Sequence, residues 1–159
     1  MCIRDRDKGY GVEYREEWDD YVKFTLVRNP IGRIVSCYKD KIAPDRPWNQ
    51  HFRKKIDLVP GQHITFKEFL ELLKDDATLG ADEHWAPQVM LLPPIDKLQL
   101  ILRLETIGDD IDMLSKKLDR NLVLSSRNRW TTTVPLLADK NDISLIHELY
   151  HDDFEQLRY

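Results

Sequence analysis

Cysteine is almost missing from this chain. Cys2 and Cys37 are the only two, too few for a disulfide framework or a zinc site, and both are expected as free thiols. Long apolar runs are missing too: none approaches the length of a membrane span, so no membrane contact is expected from this segment. The first seven residues are polar and carry no apolar h-region, so they are not expected to form a signal peptide. Basic charge is not in excess. The formal net charge is −4, which argues against a nucleic-acid partner but leaves room for a local basic pocket. No internal repeat or low-complexity tract is present. What remains, 42% hydrophobic and 33% charged residues over 159 positions, fits a globular chain with one domain and one core. Residues 1–17 join smoothly to no element and are expected as an irregular or foreign start.

The apolar run from Tyr21 to Val27 reads as a short buried strand. Asn29 is placed to cap a helix, with Pro30 at the first helical position, where no backbone donor is needed. Ile31, Ile34, Val35 and Tyr38 then repeat at helical spacing, until Ala43-Pro44-Asp45-Arg46-Pro47 breaks the pattern. Residues 44–63 read as a long irregular loop. Thr65 and Glu68 form a capping box ahead of Phe66, Phe69, Leu70, Leu72 and Leu73. Residues 82–88 are expected as ordered loop or a short turn. A second buried strand is expected over Leu98–Leu104. Thr106 is expected to cap a helix with the stripe Ile107, Ile111, Leu114 and Leu118. A short strand is expected at Leu122–Leu124, a loop from Arg127 to Leu137, and a last helix from about Asp142 to Leu157. Strands alternating with helices point to an α/β layer with parallel pairing. Two or three strands make a thin sheet, so further strands are expected upstream or hidden from this reading.

At about 100° per residue, Ile31, Ile34, Val35 and Tyr38 share one side of the first helix. Asn29, Arg33, Ser36 and Asp40 share the other. Ser36 lies roughly 10 Å along the axis from Asn29, so an anion touching Ser36 rests on the helix flank and not on the N–H groups at its tip. Arg28, at the strand end, is long enough to reach along that flank, and its fork suits phosphate oxygens. The plain alternative is a solvated helix face, with Arg28 in a surface ion pair.

Phe24-Thr25-Leu26-Val27-Arg28-Asn29-Pro30, followed by Arg33, Ser36 and Tyr38, resembles the V-R-x-P-x-x-R-x-x-S-x-Y motif of the Golgi-type carbohydrate sulfotransferases (sulfotransferase family 2) and their bacterial relatives. Glu83-His84-Trp85-Ala86-Pro87-Gln88 resembles the family's E-H-W-x-P-Q segment. Leu102-Arg103-Leu104-Glu105-Thr106 is similar to its G-R-F-E-N-L strand end. The stretch from Tyr150-His151-Asp152-Asp153-Phe154-Glu155 to Tyr159 is similar to its closing Y-x-x-D-F-E-x-F-x-Y. The four segments stand in the family's order and cover about Trp18 to Tyr159. The resemblance implies a P-loop-like α/β fold, a parallel sheet flanked by helices, with the sulfotransferase domain over 18–159. The implied donor is 3′-phosphoadenylyl sulfate (PAPS), with no metal, and the acceptor is a hydroxyl of a carbohydrate or another molecule. Arg28 and Ser36 would hold the 3′-phosphate, Arg33 would support the site or the fold, and Arg129, with Arg127, would approach the nucleotide from its loop. The implied setting is the cytoplasm in a bacterium and the Golgi lumen in an animal cell. Acceptor identity and oligomeric state stay open.

The chain departs from the family at its start. The lysine-bearing loop that wraps the 5′-phosphosulfate has no counterpart before Trp18: Gly9-Tyr10-Gly11 is too short, and Lys8 is no substitute. Transfer needs stabilisation aimed at the developing charge, so the fold is expected to be N-terminally incomplete. The chain alone is expected to bind adenosine 3′,5′-bisphosphate weakly at best and not to transfer sulfate. For the base that a hydroxyl acceptor needs, His84 is the candidate; the alternative is that His84 and Trp85 brace their loop, with the imidazole donating to a backbone carbonyl. Glu105 is read as a partner for a cation. His51, Arg53, Lys54 and Lys55 are weighed against an anionic glycan or a plain charged loop, and Trp48 and Trp130 against a sugar or the domain. Asp152, Asp153 and Glu155 are read as a solvated helix face. The rivals are another P-loop-like phosphotransferase, for which no Walker-type loop is found, and a non-catalytic nucleotide- or glycan-binding module.

Overall fold

The structure is a computed structural model that describes residues 14–124 and 138–159. Two parallel strands carry the site. β1 (Phe24–Val27) pairs with β2 (Leu100–Arg103), Phe24 opposite Leu100 and Val27 opposite Arg103. Each strand runs into a helix: β1 into α1 (Pro30–Cys37), β2 through one 3₁₀ turn into α5 (Ile107–Leu118). The expected α/β layer with parallel pairing is therefore present, and among the described residues the sheet has two strands. Phe24 and Leu26 are about half exposed (46% and 51%) while Val27 is buried, so one face of β1 is left uncovered.

The crossover between the strands holds α2 (Gln50–Lys54), α3 (Phe66–Leu72) and α4 (Asp76–Leu79). The chain closes with α6 (Lys140–Leu149) and α7 (His151–Leu157). The core lies where α1, α3 and α6 meet. Ile34 and Val35 pack there with Phe66, Phe69, Leu70, Leu73, Trp85, Ile146 and Tyr150. Cys37 joins it from the same side of α1, and burial pushes its thiol up to about 12 against the opposing charge of Arg33. The Thr65 cap forms as the sequence indicates. Its hydroxyl accepts from Glu68 N at 3.2 Å, and the Glu68 carboxylate accepts from Thr65 N at 2.7 Å. No helix among the described residues is long and apolar enough to cross a membrane.

Five expectations of the fold need correction. The strand expected as buried over Tyr21–Val27 is shorter, Phe24–Val27, and exposes Phe24 and Leu26 because they share the uncovered face. The stretch 44–63 is not all loop: α2 forms inside it because Phe52 and Arg53 are drawn into the interior. Leu122–Leu124 is not a strand; Val123 is 82% exposed and pairs with no strand among the described residues. The last helix is two helices, broken at Tyr150 (φ −116°, ψ 26°), whose buried hydroxyl donates to Trp85 O at 2.7 Å. Thr106 does not cap α5 with its side chain; its hydroxyl donates instead to Asp110 Oδ2 at 3.1 Å, beside Arg103 N at 2.5 Å.

Candidate functional site

Arg28 leaves β1 at its C-terminal end, the edge where parallel sheets commonly bind ligands. The Asn29 side chain closes the tip of α1 by accepting from Ile31 N (3.0 Å) and Gly32 N (3.4 Å). The tip donors are thereby engaged, and the flank is what remains open. Gly32 makes that flank passable. A methyl group on it would sit 3.5 Å from Arg28 Nε and 3.6 Å from Nη2, so the guanidinium lies across the glycine. Ser36 follows one turn later on the same line, since residues four apart stack on a helix face. Neither the Arg28 guanidinium nor the Ser36 hydroxyl has a hydrogen-bond or ion-pair partner among the described residues. Two donors on one helix flank are thus left without partners among the described residues.

The backbone of Arg28 is held by a side chain. Gln88 Oε1 accepts from Arg28 N at 2.9 Å, and Gln88 Nε2 donates to Arg28 O at 2.8 Å. Gln88 is in turn fixed by the fully buried Asp153 of α7. One carboxylate oxygen accepts from Gln88 N (2.8 Å) and Nε2 (3.3 Å), the other from Val89 N (2.8 Å). Asp153 is thus an interior anchor, contrary to the solvated face expected for it.

Arg33, expected to support the site or the fold, reaches the 83–86 loop. Nη1 donates to Ala86 O at 2.7 Å and Nη2 to Glu83 O at 2.6 Å, so its fork clamps the 83–86 loop. Trp85 anchors the same loop. It is fully buried, edge-on to Phe69, with Nε1 donating to Thr78 O at 2.8 Å. The segment from Asp82 to Gln88 is an ordered turn between α1 and α7, carrying His84 near one end and Gln88 at the other.

His84 is partly exposed and meets a carboxylate, not the backbone carbonyl considered for it. Asp82 Oδ1 accepts from His84 N at 2.9 Å and lies 2.6 Å from Nδ1; Oδ2 accepts from Lys55 Nζ at 2.7 Å. The Phe52 ring abuts the imidazole at 4.9 Å. Burial pushes the Asp82 carboxyl up, but the hydrogen bonds from His84 and Lys55 outweigh it and hold the group well below the usual carboxylate range. A carboxyl depressed in the folded state stabilises the fold fully above its unfolded value of about 4 and loses that contribution as pH falls through its folded value. Wild type is therefore expected to exceed Asp82→Asn in urea midpoint at pH 7, with the gap narrowing steadily below pH ~4. A gap independent of pH would contradict the assignment.

The other candidates are placed as follows. Arg53 is wholly interior and meets no surface ligand. His51 stacks on Phe52 at 3.7 Å, with Lys41 Nζ 4.9 Å from the same ring. Trp48 is exposed, with the Arg46 guanidinium 5.5 Å from its ring. Glu105 has no cationic partner among the described residues; it accepts from Asn29 N at 2.8 Å and from the Tyr159 hydroxyl at 3.3 Å, tying the last residue to the start of α1. Arg127, Arg129, Trp130 and residues 8–11 lie outside the described residues. Sequence reasoning gave Asp82 and Gln88 no role of their own and misread Asp153 as a solvated face. For Asp82 a signal existed: an Asp two residues before a His can close an Asx turn onto its N–H.

Residues 8–159 fit the family model described as the sulfotransferase family, and the chain belongs to that family. Among curated proteins it is similar to mouse carbohydrate sulfotransferase 14, 32% identical over 91 residues, covering 52% of this chain and 24% of that protein. Zebrafish carbohydrate sulfotransferase 11 is 26% identical over 166 residues, covering 88% and 47%. Carbohydrate sulfotransferase 12 of Xenopus laevis is 25% identical over 175 residues, covering 87% and 40%. The chain spans about a quarter to a half of the length of these relatives. No solved structure matches it significantly.

Proposed function

We propose that residues 18–159 form the 3′-phosphate half of a PAPS-dependent sulfotransferase acting on a carbohydrate hydroxyl. The observation that carries this reading is the Arg28 guanidinium laid over Gly32 one turn before Ser36, both donors lacking partners among the described residues. A phosphate dianion with three acceptor oxygens fits that pair of donors and the open flank between them. Arg28 and Ser36 hold the 3′-phosphate, and Arg33 holds the loop that borders it. When bound, PAPS supplies an activated sulfuryl group for direct transfer to the acceptor oxygen. His84 receives the hydroxyl proton at Nε2, which has no hydrogen-bond partner among the described residues. Arg129 approaches the nucleotide from its loop, as the family resemblance implies. The same resemblance supports a setting in the Golgi lumen of an animal cell or the cytoplasm of a bacterium.

Titration calorimetry of the 159-residue chain tests this. Adenosine 3′,5′-bisphosphate is expected to bind weakly and adenosine 5′-monophosphate, lacking the 3′-phosphate, not to bind. Charge-assisted hydrogen bonds contribute about 1.5–3 kcal/mol, so Arg28→Ala is expected to lower affinity about ten- to hundredfold. Equal binding by Arg28→Ala, or no binding by the wild type at millimolar ligand, would overturn the reading. Binding of a glycan alone would favour a non-catalytic module.

A further inference from the structure

We infer that Asp82 is a positioning residue: it fixes His84 as the tautomer with hydrogen on Nδ1 and the lone pair on Nε2, and Lys55 fixes Asp82. The inference concerns the same histidine as the proposed base and rests on that reading only for its catalytic consequence.

The geometry carries it. An ionised carboxylate accepts hydrogen bonds and donates none. Its 2.6 Å contact with Nδ1 therefore requires the hydrogen on Nδ1. In the neutral ring the other nitrogen is then the acceptor. The carboxylate is built to stay ionised and still. Its side chain is only 5% exposed, and both oxygens are engaged by three donors: His84 N, His84 Nδ1 and Lys55 Nζ. The bond from His84 N to the same Oδ1 closes a short turn, so the oxygen that sets the tautomer also sets the backbone of the residue it acts on. Phe52 blocks one side of the ring. The imidazole is 37% exposed although its Nδ1 edge is tied to a buried group. Without Asp82 nothing selects between tautomers, and an amide at this position can donate to Nδ1 instead, moving the hydrogen to Nε2. Lys55 donates to Oδ2 and leaves Oδ1 to His84.

The test is long-range ¹H–¹⁵N correlation of the imidazole rings in the 159-residue chain at a pH where His84 is neutral, the His84 signals being assigned by their loss in His84→Gln. In the wild type, His84 is expected to show protonated Nδ1 and bare Nε2 as its dominant form. Asp82→Asn is expected to shift the ring toward the Nε2–H form or a mixture. Lys55→Met is expected to keep the wild-type tautomer with broader signals. Backbone amide spectra show whether each variant is folded; should Asp82→Asn not fold, the wild-type tautomer alone decides. A dominant Nε2–H form in the wild type, or an unchanged tautomer in a folded Asp82→Asn, overturns the inference. The base role fails separately. If His84→Gln leaves turnover unchanged in the sulfotransferase that carries this segment, the base reading falls and the tautomer result stands.

Discussion

Arg53→Ala is expected to destabilise the chain by about 3–5 kcal/mol and to lower its midpoint of thermal unfolding by roughly 10 °C. The Arg53 side chain is completely buried. Its two terminal nitrogens donate to Ile42 O and Gln62 O, carbonyls on either side of α2. Nε lies 3.6 Å from Asp45 Oδ1, an ion pair too long to be a hydrogen bond, and Nε has no other partner. Asp45 also accepts from Gly61 N and from Gln50. The Gly61 N–H, followed by Gln50 and Arg53, holds its carboxyl below the ordinary range. One guanidinium therefore organises the whole stretch from Ile42 to Gln62. Truncation strands two carbonyls at about 1–3 kcal/mol each and empties the space of the methylene stem. Arg53→Lys is expected to recover only part of the loss, because one ammonium lacks the spread of the fork. Urea or thermal unfolding measures both variants. A loss under 1 kcal/mol for Arg53→Ala would mean that the loop does not depend on it.

Asp153→Asn is expected to cost about 2–4 kcal/mol and to remove bisphosphate binding in molecules that are still folded. The replacement has nearly the same shape, so packing is not what changes. Each carboxylate oxygen faces N–H donors, from Gln88 on one side and Val89 on the other. An amide can satisfy one side and must turn its own N–H groups against the other. Gln88 then loses the partner that orients it, and Gln88 is what fixes both backbone groups of Arg28. The measurement pairs a denaturation curve with calorimetry well below the transition. Full stability loss with intact bisphosphate affinity would show that Asp153 holds the fold without placing the arginine.

The first half of the site was legible because its chemistry is local. Asn29 and Pro30 announce a helix start within two residues, and the apolar run before them can only be a short strand. Thr65 with Glu68 is equally self-contained. What stayed hidden depends on partners far away in sequence. Arg53 sits in a charged stretch between prolines, and only the carbonyls of Ile42 and Gln62 make it interior. Asp153 stands among Asp152 and Glu155 and looks like them; its donors belong to residues more than sixty positions upstream. The apolar spacing runs unbroken from Leu145 to Phe154, so the break at Tyr150 leaves no mark in the pattern. It is set by the hydroxyl's reach to Trp85. Leu122–Leu124 shows the opposite error: an apolar triplet with no neighbouring strand among the described residues to pair with.

Cys37 gives the arginine-bearing helix a clock. Its thiol is 7% exposed and, raised to about 12, carries almost no thiolate at neutral pH. An alkylating reagent meets it only in molecules whose α1 has lifted from Phe69 and Trp85, and such openings follow their own local free energy. In a chain relieved of Cys2, the rate of Cys37 modification counts those openings one by one. Any anion that settles on the outer flank of α1 must slow that count by mass action, so occupancy on one side of the helix can be read chemically from the other.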